Sequence, residues 1–186
     1  ITIAWKGSSD GKHEVWAAKY LAADFSWGAP VKVASSVYNT YPVSLKYDGT
    51  GNAYLLTDIQ TSSQMHQSEF FYSENESVSW GEAVVFGVGA DLLTVSLDGS
   101  ATLTGYREHL DGAYIASFYV YDAKTKTWAD EVVMNDLISE KHSPVTSTAD
   151  DKGNVLLTAT VKKPREESYS IWFIISKRER SLLGSL

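Results

Sequence analysis

Three tryptophans head nearly identical strings, and their spacing restricts the folds open to this chain more than any other feature. Trp27-Gly28-Ala29-Pro30-Val31-Lys32-Val33, Trp80-Gly81-Glu82-Ala83-Val84-Val85-Phe86 and Trp128-Ala129-Asp130-Glu131-Val132-Val133-Met134 all read W-[G/A]-x-x-V-x-apolar. Trp80 follows Trp27 by 53 residues, and Trp128 follows Trp80 by 48. A recurring period of about 50 residues is the mark of a repeat architecture, in which each unit buries its apolar surface against the next.

A second motif interlocks with the first. Asp48-Gly49-Thr50-Gly51-Asn52-Ala53-Tyr54-Leu55-Leu56-Thr57 matches Asp150-Asp151-Lys152-Gly153-Asn154-Val155-Leu156-Leu157-Thr158 at a separation of 102 residues, two periods. Pro42-Val43-Ser44 and Pro144-Val145-Thr146 differ by the same 102, and Asp98-Gly99-Ser100-Ala101 falls between as a shortened version. Asp-x-x-Gly-Asn is turn chemistry: Gly and Asn tolerate positive φ, and Asp caps its own turn. The flanks are short runs of β-branched, apolar and aromatic residues, so each copy reads as a hairpin.

One unit is therefore expected to hold four strands, A to D. Strand A spans 41–47, 91–97 and 143–149. Strand B spans 53–57, 101–106 and 155–161, and strand C spans 69–73, 114–121 and 169–175. Strand D starts at each Trp, over 27–33, 80–86 and 128–134. The run Ala17-Ala18-Lys19-Tyr20 is a strand C of the first unit, and Ile1 to Trp5 aligns with the strand B at 53–57. No convincing helix is present, and Asn135 to Lys141 is at most one turn. Four antiparallel strands at this period predict an all-β chain, a β-propeller of about four blades with units near 1–40, 41–90, 91–142 and 143–186. The Trp is expected to pack between neighbouring blades, beside Tyr20, Tyr72 or Tyr121 of strand C.

The first unit lacks a strand A and the last has at best a degenerate strand D at Ser181 to Leu186. Three arrangements satisfy that count: part of a six- to eight-bladed ring, which is preferred, a tolerant four-bladed ring, or self-association of two copies through unpaired blade edges.

Composition narrows the function classes. With 16 Lys and Arg against 23 Asp and Glu, the net charge is −7, and no clustered basic run tracks a phosphate backbone, so nucleic acid is not an expected partner. There is no Cys, which removes disulfides, thiolate nucleophiles and Cys–zinc sites. No apolar run approaches the roughly 20 residues of a membrane span. G-x-S-x-G, H-E-x-x-H, a phosphate-binding loop and the calcium loop D-x-[DN]-x-[DN]-G are all absent from the sequence. No cofactor or metal is expected.

The alternation of W-G-x-x-V strands with D-x-x-G-N-A hairpins resembles bacterial exported β-propeller repeat proteins, sialidase-like in blade design. The resemblance covers nearly the whole chain and implies export to the periplasm, cell surface or medium. It does not imply sialidase activity. The sialidase Asp-box, Ser-x-Asp-x-Gly-x-x-Trp, is not intact: Ser96-Leu97-Asp98-Gly99-Ser100-Ala101-Thr102-Leu103 lacks the aromatic and falls between strands A and B instead of C and D. The chain also has only four Arg (Arg107, Arg165, Arg178 and Arg180), where sialidases converge three on a carboxylate.

Candidate chemistry gathers in the B–C and D–A connections, which share one end of a blade. His13, His66 and His109 fall in B–C hairpins, and His142 lies before the fourth strand A. Polar residues collect in such loops without any function, and equivalent positions on adjacent blades are too far apart for one metal with bonds of about 2.0–2.1 Å. Arg107-Glu108-His109-Leu110-Asp111 joins cation, acid and base in one loop, and Glu166-Glu167 occupies the next; glycoside hydrolysis needs two carboxylates about 5–9.5 Å apart. Tyr38, Asn39 and Tyr41 join a ring to an amide, a pairing that suits a sugar. The candidate ligand-binding set is Tyr38, Asn39, His66, Arg107, Glu108, His109 and His142, with no catalytic residue assigned. The expected function is a non-catalytic, exported binding module for a glycan or protein. The alternatives are a glycoside hydrolase domain with part of its site elsewhere, and a purely structural domain of a larger surface protein.

Overall fold

The structure, a computed structural model, describes residues 1–62, 66–75, 77–108, 114–139, 145–150, 154–161, 170–177 and 180–185. They contain strands and turns and no helix. Four antiparallel sheets follow one another along the chain. Blade 1 holds β1 (Thr2–Ser9), β2 (Lys12–Leu21), β3 (Ser26–Trp27) and β4 (Val31–Ser36). Blade 2 holds β5 (Asn39–Tyr47), β6 (Ala53–Gln60), β7 (His66–Ser73) and β8 (Val84–Phe86). Blade 3 holds β9 (Gly89–Val95), β10 (Ala101–Glu108), β11 (Tyr114–Asp122), β12 (Thr127–Trp128) and β13 (Val132–Ser139), and blade 4 holds β14 (Val145–Ala149), β15 (Val155–Val161), β16 (Ser170–Lys177) and β17 (Arg180–Ser185). The chain forms two compact units, Ile1–Gly89 and Ala90–Leu186.

The expected A-B-C-D order holds in blades 2, 3 and 4, and blade 1 is B-C-D. Strands B and C keep one pairing register in blades 1 and 2. Thr2 pairs with Lys19 as Tyr54 pairs with Tyr72, and Ser8 with His13 as Gln60 with His66. Ile1 to Trp5 thus occupies the places of Ala53 to Thr57, as the alignment predicts. The terminal strand is also present, since β17 pairs with β16 along its whole length.

Three expectations need correction. Strand D is not continuous after its Trp: in blades 1 and 3 it breaks into a two-residue piece and a longer one, both paired with strand C. In blade 1 Pro30 sits in the break, where it offers no N–H to a ladder. Residues 135–139, expected as at most one helical turn, continue β13 as strand. The A–B turn of blade 3 is not shortened. Gly99 (φ 86°) takes the place of Gly51 (φ 87°), and Ser96, not Asp98, stands where Asp48 stands, with N–H bonds to Ser100 O at 2.9 Å and to Asn52 O at 3.2 Å respectively.

That turn is held by side-chain chemistry. Asp48 Oδ1 accepts from Thr50 N–H and Oγ1 and from Asn52 N–H, while Oδ2 accepts from Asn52 Nδ2 and Tyr54 Oη, all within 2.8–3.0 Å. Partial burial pushes the Asp48 carboxyl up, and the donors together outweigh it, so it titrates below the usual carboxylate range. Asp150 repeats the bonds to Asn154 N–H and Nδ2 at 2.8 and 2.6 Å.

Within each unit the core lies between consecutive blades. In the first, Val15 and Ala34 of blade 1 meet Leu55, Ile59 and Phe71 of blade 2, with Ala4, Val33, Leu45 and Trp80 at the margin. In the second, Tyr106, Ala116, Phe118 and Met134 meet Val155 and Leu157. Strand β6 is buried over Ala53–Ile59; β5 and β7 flank its two edges, and its Leu55 and Ile59 pack against blade 1.

The tryptophans divide. Trp80 packs at the interface of blades 1 and 2, with the Lys19 ammonium 6.0 Å from its ring. Trp27 instead lies edge-on to Tyr20, centroids 5.6 Å apart, and stays 49% exposed, which corrects the expected inter-blade position. The reason is geometric: Tyr20 and Trp27 share the face of blade 1 turned away from blade 2, and within this unit no strand covers that face. Trp128 meets Tyr121 in the same register at 5.2 Å. In blade 2 the corresponding residue is Ser73, whose hydroxyl donates to Ser79 O at 2.6 Å, while Tyr72 turns to Tyr54 at 5.4 Å. What the three copies share is a backbone bond: the residue after each Trp donates to Lys19, Tyr72 or Val120 O, at 2.8 Å in every case.

Candidate functional site

The B–C and D–A connections of blades 1 and 2 lie at one end of the first unit, as expected. Blade 1 closes its B–C hairpin with Asp10-Gly11, both at positive φ (50° and 72°), a two-residue turn whose twist matches the strands. The end of blade 1 is a row of Ser8, His13 and Ser36. The end of blade 2 is a row of Asn39, Gln60 and His66. The rows are tied together: Ser36 Oγ donates to Gln60 O at 2.7 Å, and Lys6 Nζ donates to Asn39 Oδ1 at 2.6 Å. Tyr38 N–H in turn donates to Ser36 Oγ at 3.2 Å, which fixes the D–A connection.

Directly paired residues of an antiparallel sheet project to the same face. The pairs Asn39–Gln60, Tyr41–Asp58 and Gln60–His66 therefore place Asn39, Tyr41, Asp58, Gln60 and His66 on one face of blade 2. Asp58 and His66 are diagonal neighbours there, and Asp58 Oδ2 lies 2.7 Å from His66 Nδ1. A carboxylate only accepts, so Nδ1–H donates, and the ring keeps Nε2 for another partner. The Asp58 side chain is 7% exposed and that of His66 is 43% exposed: a buried anchor orients an accessible imidazole. Tyr38 and Tyr41 add two aromatic residues, 49% and 39% exposed.

Three of the sequence candidates, Tyr38, Asn39 and His66, thus lie at one end of blade 2, with Asn39 and His66 in one row. Arg107 and Glu108 end β10, with Glu108 in the register position of Gln60, and Tyr114 in that of His66. The side chains of Arg107 and Glu108 lie outside the described residues, as do His109, His142, Asp111, Glu166 and Glu167. Among the described residues no three His, Asp or Glu side chains gather in a metal-binding group.

The sequence reading missed Asp58 and Gln60. The signal for Asp58 was an acid inside a strand whose other residues, Ala53-Tyr54-Leu55-Leu56-Thr57 and Ile59, carry no charge, where an unpartnered carboxylate is costly. It also missed Glu14, on the opposite face of blade 1. Glu14 is 2% exposed and accepts from Lys32 Nζ (3.0 Å), Ser9 Oγ (2.8 Å) and Trp16 Nε1 (3.0 Å). The Lys32 bond first, then the Ser9 bond, holds its carboxyl below the usual range.

No protein-family model and no curated sequence matches the chain. Solved structures do. The β-propeller domain of the Trilobed protease from Pyrococcus furiosus, described as having an open velcro topology, matches with a TM-score of 0.62 at 10% identity, over 98% of this chain and 52% of that one. A K499G mutant of the NanB sialidase from Streptococcus pneumoniae matches with a TM-score of 0.56 at 10% identity, over 92% of this chain and 28% of that one. A second NanB structure gives 0.54 at 11% identity, again over 28% of its length. The class is therefore an all-β protein of β-propeller architecture. The chain spans about half the length of the protease propeller and less than a third of the sialidases it resembles.

Proposed function

We propose that this protein is a non-catalytic propeller binding module, exported from the cell, whose ligand is a glycan held at the B–C and D–A end of blade 2. The observation that carries this reading is the oriented His66, fixed by buried Asp58 and sharing a face with Asn39, Gln60 and Tyr41. Sugars are recognised by fixed hydrogen-bonding groups that read hydroxyls, next to an aromatic face that covers the C–H side of the ring. An imidazole, two amides and a tyrosine on one face meet both needs. Export rests on the likeness in blade repeats alone, and cell fractionation tests it.

The full chain on a glycan array is the direct test. A bound sugar whose affinity falls about tenfold or more in His66→Ala, about 1.4 kcal/mol or more of binding energy, supports the reading. Asp58→Asn is expected to weaken binding as well, because it replaces the ionised acceptor that orients the ring. Binding indifferent to both variants, or no glycan bound at all, overturns it. Turnover of an aryl glycoside by the purified chain would overturn the non-catalytic part.

A further inference from the structure

The polar groups in the blade 2 row have defined hydrogen-bonding senses, and the two ends differ. Asp58 holds His66 Nδ1–H, so Nε2 of the neutral imidazole is an acceptor. An ammonium only donates, so Lys6 Nζ takes Asn39 Oδ1 at 2.6 Å and leaves the Asn39 Nδ2 amide as a donor. Neither His66 Nε2 nor Asn39 Nδ2 bonds to another described residue. Gln60 stands between them, and its side-chain amide both donates and accepts. From β7 to β5 the row thus reads acceptor, mixed amide, donor. A sugar hydroxyl donates and accepts at once, so a polyol satisfies both ends. A carboxylate or sulfate only accepts: it suits Nδ2 and has no proton for Nε2. The Asp58 carboxylate beside the ring also offsets the charge of Lys6, so the row offers an anion little net attraction.

Access to the imidazole depends on a residue without a side chain. The connection out of β8 leaves Phe86, opposite Ser68 of β7, and reaches Gly89 at the end of the first unit. A Cβ placed on Gly89 would meet the His66 Cβ at 3.8 Å, an ordinary contact, and no other described atom within 4 Å. Gly89 does not take the left-handed φ of Gly11, Gly51 and Gly99. Neither backbone conformation nor close packing therefore requires glycine there. Its effect is to keep atoms beyond Cβ from lying across an imidazole that is 43% exposed. The matching connection of blade 1 carries Val37 and Tyr38, both exposed.

We infer that the ligand of this row, granted the glycan reading above, is an uncharged sugar, and that Gly89 is the residue that admits it. One hydroxyl donates to His66 Nε2 while another accepts from Asn39 Nδ2. The buried Asp58 sets the first sense and Lys6 sets the second.

The probe is an array of neutral hexose oligosaccharides and of oligosaccharides bearing uronic or sialic acid, followed by calorimetric titration of the sugar that binds. The expected result is binding of neutral sugars that depends on His66. Asn39→Asp keeps the shape and the Lys6 contact but replaces the donor by an acceptor, and it weakens binding about tenfold or more. Gly89→Ala, whose Cβ has room, leaves the affinity within about twofold, and Gly89→Leu lowers it about tenfold or more. The leucine acts through the imidazole, so in a His66→Ala background it has no further effect. Preference for the acidic sugars overturns the inference, as does full binding by Asn39→Asp or Gly89→Leu. Loss of the near-UV circular dichroism of the fold in Gly89→Leu also overturns the role of Gly89, since packing would then be what demands glycine. No sugar bound, or binding indifferent to His66→Ala, overturns the glycan reading itself.

Discussion

At the position where blade 2 buries Leu55 completely, blade 1 presents Ile3, 46% exposed. Two residues on, Thr57 is fully buried and Trp5 is 36% exposed. The register between strands B and C is the same in the two blades, so local strand propensity does not make the difference. It comes from what lies beside each strand: β6 has β5 on one edge and blade 1 on one face, and among the described residues of the first unit β1 has no equivalent of either. The comparison separates what a repeat encodes, its hairpins and pairings, from what only a neighbour supplies, the burial.

The largest expected effect tests that separation at its centre. Leu55→Ala removes a fully buried side chain from the inter-blade core and should cost about 2–5 kcal/mol. Ile3→Ala at the matching place in blade 1 should stay within about 0.5 kcal/mol, as exposed substitutions do. Urea titration of both reads the contrast, and similar costs would show that Ile3 is buried in solution.

Next comes the turn at Asp48. Asp48→Ala leaves Asn52, Thr50 and Tyr54 without their acceptor and is expected to cost about 1–3 kcal/mol. Its pH dependence has a definite sign. The folded carboxyl titrates below its unfolded value, so its contribution is fully present above the unfolded pKa and is lost as pH falls through the lower, folded one. Parent minus Asp48→Asn stability, followed from neutral pH into the acid range, should shrink over that window.

A smaller effect concerns the two aromatic arrangements. Trp27→Leu breaks a half-exposed edge-on pair with Tyr20, worth about 0.5–1.5 kcal/mol. Trp80→Leu, which opens the inter-blade margin and removes the ring beside Lys19, should cost more. The smallest is Glu69→Gln: burial pushes the Glu69 carboxyl above the usual range, so its ionised form opposes folding at neutral pH. The variant should gain a few tenths of a kcal/mol there, a gain that vanishes as pH falls below the unfolded carboxylate value.

Much of this architecture was readable from Trp27, Trp80 and Trp128 together with the Asp-x-x-Gly-Asn turns, because both motifs carry their own geometry. Positive φ at Gly51 and the Asp48 side-chain bonds are local, so a five-residue string specifies them. The burial of Trp27 was not readable, since it depends on whether another blade covers its face. The string Ser73-Glu74-Asn75-Glu76-Ser77-Val78-Ser79-Trp80 was also passed over. It keeps the Ser and Trp of the Ser-x-Asp-x-Gly-x-x-Trp frame between strands C and D, with Asn for Asp and Ser for Gly. Of the candidate site, Tyr38, Asn39 and His66 were legible as loop-end polar residues. Asp58 was hidden because its role depends on a diagonal pairing across strands eight residues apart, which no local motif announces.

The central claim, that blades 1 and 2 share a register and differ in their edge neighbours, is tested most directly by native-state hydrogen exchange on the full chain. Leu56, Asp58 and Gln60 of β6 stand where Ala4, Lys6 and Ser8 stand in β1. The account predicts strong protection of the first three amides and rapid exchange of the second three, with Ile3 and Trp5, bonded to β2, protected between them. Uniform protection along β1, matching that of β6, would contradict it.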